Sequence, residues 1–132
     1  MVRLARTPDG RRLEVTRDLD APRDRVWETF RDTETWPEWG PSVTAVESPT
    51  RLIHRGTEGR VRTVGGLWLP FRVTACENYR WTWDVANLPA TGHRVEERGA
   101  GARAIVEVPV VAAPYVPVCA RGLRRLEAVV SR

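Results

Sequence analysis

Lysine and glutamine are absent from the 132 residues, and all 21 basic side chains are arginine. Isoleucine and asparagine are nearly as scarce, while Ala, Arg, Gly, Pro and Val abound, the bias that translation of a GC-rich genome produces. Part of the net charge of +4 therefore reflects codon usage rather than a polyanionic partner. The densest basic group, Arg121, Arg124 and Arg125, falls at helical spacing and reads as a solvated face. No basic groove interleaved with stacking aromatics accompanies it, which argues against nucleic acid. There are two histidines, His54 and His93, with no HExxH and no carboxylates in register, so no metal site is expected. The two cysteines, Cys76 and Cys119, lack CxxC or Cys/His spacing and read as buried free thiols of a reducing compartment. No apolar run approaches the ~20 residues of a membrane span, and Arg3 and Arg6 interrupt the N-terminus, so a cytoplasmic protein without membrane insertion is expected. Gly65-Gly66 lacks the Lys-Ser/Thr or third Gly of a phosphate loop, and no GxSxG elbow occurs. No cofactor is implied.

What is present fits one domain spanning 1–132. The stretch Leu19 to Pro41 carries an Ala21-Pro22 helix start, an apolar stripe of Val26, Trp27 and Phe30, and three tryptophans. A second short helix or turn, Thr33 to Trp39, is cut by Pro37 and closed by Gly40-Pro41. Trp27 belongs to the core, and Trp36 and Trp39 fix the second helix against the sheet.

Thr7-Pro8-Asp9-Gly10 is a turn into a strand, Arg11 to Leu19, whose Leu13, Val15, Arg17 and Leu19 share one face. Further strands are predicted at Val43 to Glu47, Gly59 to Val64, and Leu67 to Cys76, where Pro70 argues for an edge or bulge. In Tyr79 to Val85 the aromatic residues Tyr79, Trp81 and Trp83 fall on one face. Asn87 to Gly92 reads as a loop, and His93 to Glu97 and Ala102 to Val108 as a hairpin. A final helix from Pro114 to about Val130 is amphipathic, with Tyr115, Cys119, Leu123, Leu126 and Val130 on one side. Strands too closely spaced for crossover helices, then a terminal helix, indicate an α+β antiparallel sheet.

The run Ala21-Pro22, Val26-Trp27, Asp32, Trp36-Pro37 and Trp39 resembles the opening of the START-like, or SRPBCC, superfamily, whose members include polyketide cyclase/dehydrase and lipid-transport proteins. The resemblance implies a helix-grip fold, a curved antiparallel sheet wrapped around a long C-terminal helix with an internal pocket between them. It implies no single activity. It also places Gly65 to Pro70 where ligand-gated members carry a gate loop, and makes Gly92-His93-Arg94-Val95 similar to their latch, so that both flank the pocket mouth.

Residues at inward parity then form an aromatic wall of Leu67, Leu69, Phe71, Tyr79, Trp81 and Trp83, with Tyr115 from the helix. Trp81 and Trp83 stack on a ligand or fill the core. His93 donates to a ligand oxygen or exchanges protons near neutral pH; the structural reading is a histidine capping its loop. Arg17, at inward parity, needs a carboxylate or an anionic ligand, with Glu97 as one partner, unless a bulge turns it to solvent.

Three functions are compatible with these residues. The first is a carrier or binding protein for a small hydrophobic molecule such as a lipid, isoprenoid or polyketide. The second is a cyclase or dehydratase in which Arg17, His93 or Tyr115 orients and protonates substrate. The third is a protein-interaction module of the chaperone-activator type, for which Trp68 at outward parity is the hint.

Overall fold

The computed structural model describes residues 1–40 and 42–132. Eight strands, β1 (Val2–Thr7), β2 (Gly10–Leu19), β3 (Val43–Glu47), β4 (Glu58–Thr63), β5 (Trp68–Glu77), β6 (Arg80–Val85), β7 (Leu88–Arg98) and β8 (Gly101–Pro109), form one antiparallel sheet in the order β1-β2-β8-β7-β6-β5-β4-β3. Two short helices, α1 (Arg23–Arg31) and α2 (Trp36–Trp39), follow β2. A 3-10 segment, Val110–Tyr115, leads into the long helix α3 (Val116–Val130). This is the helix-grip arrangement that the sequence implied.

Pro22 caps α1 with φ −65° and ψ 150°, the extended geometry that lets a helix begin at the next residue. Val26 and Phe30, one turn apart, are both fully buried, whereas Trp27 is only half-buried. Helix α3 buries Cys119, Leu123, Leu126 and Val130 against the sheet, as its periodicity requires.

Two expectations need correction. Asn87 to Gly92 is not a loop: Ala86 and Asn87, at φ +52° and +64°, make the turn, and Leu88, Pro89 and Gly92 already pair with β6. His93 therefore sits inside a strand, so the latch resemblance carries no loop with it. Pro70 lies neither on an edge strand nor at a bulge, since β5 pairs with both β4 and β6. It sits just beyond the last β5·β6 pair, Phe71↔Val85, and its carbonyl accepts from Ala86 in the turn, so its missing N–H costs no ladder bond. The N-terminal segment, unassigned from sequence, is edge strand β1. The helix stop placed at Gly40-Pro41 falls partly outside the described residues, because Pro41 is not among them.

One register level organises both faces of the sheet. On the inner face Val15, Val106, His93 and Trp81 follow one another as cross-strand partners. One residue along, the outer face carries Glu14, Glu107, Gly92 and Thr82. Two glutamates directly opposed repel each other. Arg94 bridges them, its Nη1 donating to Glu14 and to Glu107 at 2.8 Å each, and Arg80 donates to Glu107 at 2.7 Å. Asp9, at the tip of the β1–β2 hairpin, takes a second bond from Arg80 at 2.8 Å. Both glutamates are nearly inaccessible although they face away from α3. Their arginines hold the Glu14 carboxyl below the usual range, against the upward push of burial.

Gly92 is part of this row for steric reasons: a Cβ there would lie 2.7 Å from Oε1 of Glu107 and 3.2 Å from its Cβ. Gly92→Ala is expected to destabilise by about 1–3 kcal/mol, because the clamped carboxylate has no room to withdraw. Urea unfolding of the variant checks this; an unchanged midpoint refutes it.

Candidate functional site: an uncharged cavity under the C-terminal helix

Between the inner face of the sheet and α3 lies a cavity of about 420 Å³. Trp36 and Trp39 from α2, Leu69 from β5, Trp81 and Trp83 from β6 and His93 from β7 form its aromatic wall. Val118, Cys119 and Leu123 on α3 close the opposite side. The mouth lies where the β4–β5, β6–β7 and β8–α3 connections converge, marked by Thr63, Pro89, Pro109 and Ala112. There the hydroxyls of Ser42 and Tyr115 are hydrogen-bonded to each other across the opening.

The deep wall is a stack. The Trp81 ring lies 3.8 Å from that of His93, tilted by 19°, and 5.3 Å from Trp36, nearly parallel at 7°. Trp36 is pinned by its own indole N–H, which donates to the Phe30 carbonyl at 3.0 Å. Trp83 donates to Thr91 Oγ at 3.1 Å, and Thr91 Oγ lies 3.0 Å from His93 Nε2. The Thr91 hydroxyl thus ties the Trp83 indole to the His93 imidazole in one hydrogen-bonded chain. Burial drives the His93 pKa down to about 3; the Trp81 backbone opposes this without a hydrogen bond of normal geometry, and Arg80 reinforces it. Among the described residues Nδ1 of His93 and Nε1 of Trp81 have no hydrogen-bond partner, and both atoms are closed to solvent.

None of the chain's 21 arginines and 17 acidic residues lines the cavity among the described residues. Its ionisable groups are held neutral. Burial pushes the Cys119 thiol up to about 12, and burial also raises Tyr115, against the lowering effect of the Ser42 hydroxyl. No cluster able to hold a metal ion occurs among the described residues, and no helix described is long and apolar enough to cross a membrane.

The structure thus brings Leu69, Trp81, Trp83, His93 and Tyr115 together around one space. The other sequence-predicted site residues lie elsewhere. Phe71 is buried behind the wall, with its ring against Trp36 and Trp83. Leu67 is 62% exposed in the β4–β5 turn. Tyr79 occupies the β5–β6 turn at φ +62°, packed on Trp27, with the Arg23 guanidinium 3.8 Å from its ring centre. Arg17 does point towards α3, but Glu127 pairs with it at 2.8 Å, not Glu97 and not a ligand. Trp68 is half-buried beneath the Arg60 guanidinium rather than presenting an open apolar face. Sequence reasoning assigned Trp36 and Trp39 to packing alone, and it missed Ser42 and Thr91. Thr91 shares the face of His93 two residues away, a signal lost once that segment read as a loop.

A family model described as polyketide cyclase / dehydrase and lipid transport matches residues 11–131. No curated protein matches. Among solved structures, protein Ms6760 from Mycobacterium smegmatis is similar with a TM-score of 0.65 at 15% identity, over 99% of this chain and 98% of that one. Ara h 8.0201 gives 0.63 at 15% identity, over 98% of each chain. A protein from Arthrobacter aurescens gives 0.67 at 13% identity, over 98% and 91%. At these identities the likeness concerns the fold alone.

Proposed function

The chain belongs to the polyketide cyclase / dehydrase and lipid transport family, and on that basis we infer that it binds a small hydrophobic molecule in the cavity under α3, as a carrier or binding protein. The observation that carries this reading is an uncharged, tryptophan-walled space large enough for a small ligand. Binding is favoured over turnover by the state of His93: its imidazole is sealed from solvent and uncharged at neutral pH, and its Nε2 is already hydrogen-bonded to Thr91. In this reading the protein works in a reducing compartment, with Cys76 and Cys119 both free.

Comparing native and denatured masses of freshly purified protein, followed by organic extraction, tests the reading. A stoichiometric hydrophobic adduct supports it. Cys119→Phe drives a ring from α3 into the cavity and is expected to reduce retention of that adduct about tenfold or more while leaving the fold intact. Undiminished retention would place the ligand elsewhere.

A further inference from the structure

We propose that the ligand is an uncharged, flat, ring-bearing molecule, entering ring first, with its polar group left at the Ser42–Tyr115 mouth, and that the cavity rejects carboxylates. This rests on the binding reading above and narrows it to a chemical class. The flatness follows from the lining: Trp36, Trp39, Trp81 and Trp83 all border the cavity, an aromatic surround that favours an aromatic or conjugated partner over a flexible chain. The polarity gradient follows from where the accessible hydroxyls lie. Ser42, Tyr115 and Thr63 stand at the mouth, while in the deep wall Thr91 is committed to Trp83 and His93.

Rejection of anions follows from the disposition of the arginines. A carboxylate taken from water into such a space needs a cation or several donors, and its desolvation otherwise opposes binding. Arginines on the elements around the cavity are engaged or turned away. Arg17 is paired with Glu127, and Arg12 crosses the outer side of the sheet to the Ala90 carbonyl at 2.9 Å. Arg62 lies beside the Gly66 turn on the opposite parity to Val61 and Thr63, which line the cavity. His93 offers no charge either, being sealed and neutral.

Two probes with the same ring system test this by isothermal titration: 2-acetylnaphthalene, a neutral ketone, and 2-naphthoate. The ketone is expected to bind at least about 1,000-fold more tightly at pH 8, because so little of the acid is protonated there. Only the protonated acid is competent, so apparent naphthoate affinity should rise about tenfold for each pH unit between pH 8 and pH 6. Leu69→Arg, which puts a guanidinium on the cavity wall, should reverse the preference; Val85→Arg does the same from β6 if the first variant unfolds. Naphthoate binding within about threefold of the ketone, or with no pH dependence, would overturn the uncharged class while leaving a working hydrophobic cavity. Failure of both probes to bind would overturn the ring-bearing class, while the extracted adduct decides separately whether the cavity holds a ligand.

Discussion

Replacement of Glu107 by alanine is expected to destabilise the protein by about 3–5 kcal/mol, the scale on which one member of a buried ionic cluster matters to the others. Glu107 is 1% exposed and accepts from Arg80 at 2.7 and 3.1 Å and from Arg94 at 2.8 Å. Arg80 and Arg94 are themselves direct cross-strand neighbours. Without the carboxylate, Arg94 keeps Glu14 and Glu96 and Arg80 keeps only the more exposed Asp9, so two like charges face each other in a largely desolvated row without the anion they share. Glu107→Gln keeps the shape and loses the charge, so it should fall nearly as far. Removing the whole set together, Glu14, Glu107, Arg80 and Arg94 to leucine, should recover most of the loss, because apolar side chains of similar volume fill such rows without a desolvation cost. Urea unfolding of the three variants decides the matter. A loss under about 1 kcal/mol for Glu107→Ala would show that water already screens the row.

The second large effect is acid sensitivity from His93. Its pKa is about 3 in the folded protein against 6.5 for the free side chain. Above pH 6.5 neither state is protonated and the residue contributes nothing to pH dependence. Below that, the unfolded chain gains a proton that the folded chain refuses, so stability falls by about 1.4 kcal/mol per pH unit until the folded imidazole itself titrates near pH 3. At pH 4.5 the deficit is about 2–3 kcal/mol. His93→Phe preserves a ring against Trp81 and abolishes the titration. Its unfolding free energy, followed from pH 7.5 to 4.5, should therefore lack this slope even if its absolute stability is lower. Carboxylates paired with arginine, such as Glu14, weaken in acid in both proteins and cancel in the comparison. Parallel curves would refute the assignment of a neutral, buried imidazole.

Much of this architecture is written as local periodicity. Leu13, Val15 and Leu19 alternate because one face of β2 meets the core, and Cys119, Leu123, Leu126 and Val130 recur because one face of α3 does. Where the reading erred, turn-forming residues sat inside strands. Leu88 to Gly92 contains Pro, Thr and Gly, yet Pro89 pairs with Asp84 between the turn and a register shift, and Gly92 is required by its neighbour Glu107. β1 gave little signal because it is an exposed edge strand whose alternation, Val2 and Leu4 about Arg3, is too short to read.

The cavity was half legible. Parity on β6 and β7 found Trp81, Trp83 and His93, but which indoles face open space and which lie behind others depends on how α2 docks. That docking placed Trp36 in the wall and Phe71 behind it. The outer ionic row was hidden for a different reason. Glu14 and Glu107 occupy positions that alternate with apolar ones, the pattern of solvent-facing residues, and only the hairpin tip and the bridging arginines make them buried.

The pairing of β2 with β8 also sets how the molecule can fold. Leu13 is partnered by Val108 and Leu19 by Ala102, so the second strand of the chain and its last lie side by side. Most other neighbours in the sheet are hairpins that close over short distances, but this seam cannot form until nearly the whole chain is available. Contacts of such sequence separation slow the search for the native topology. Until the seam closes, the β1–β2 hairpin presents the open, hydrogen-bonding edge of β2 to any other unfinished copy, which makes the late arrival of β8 the step at which folding and aggregation compete.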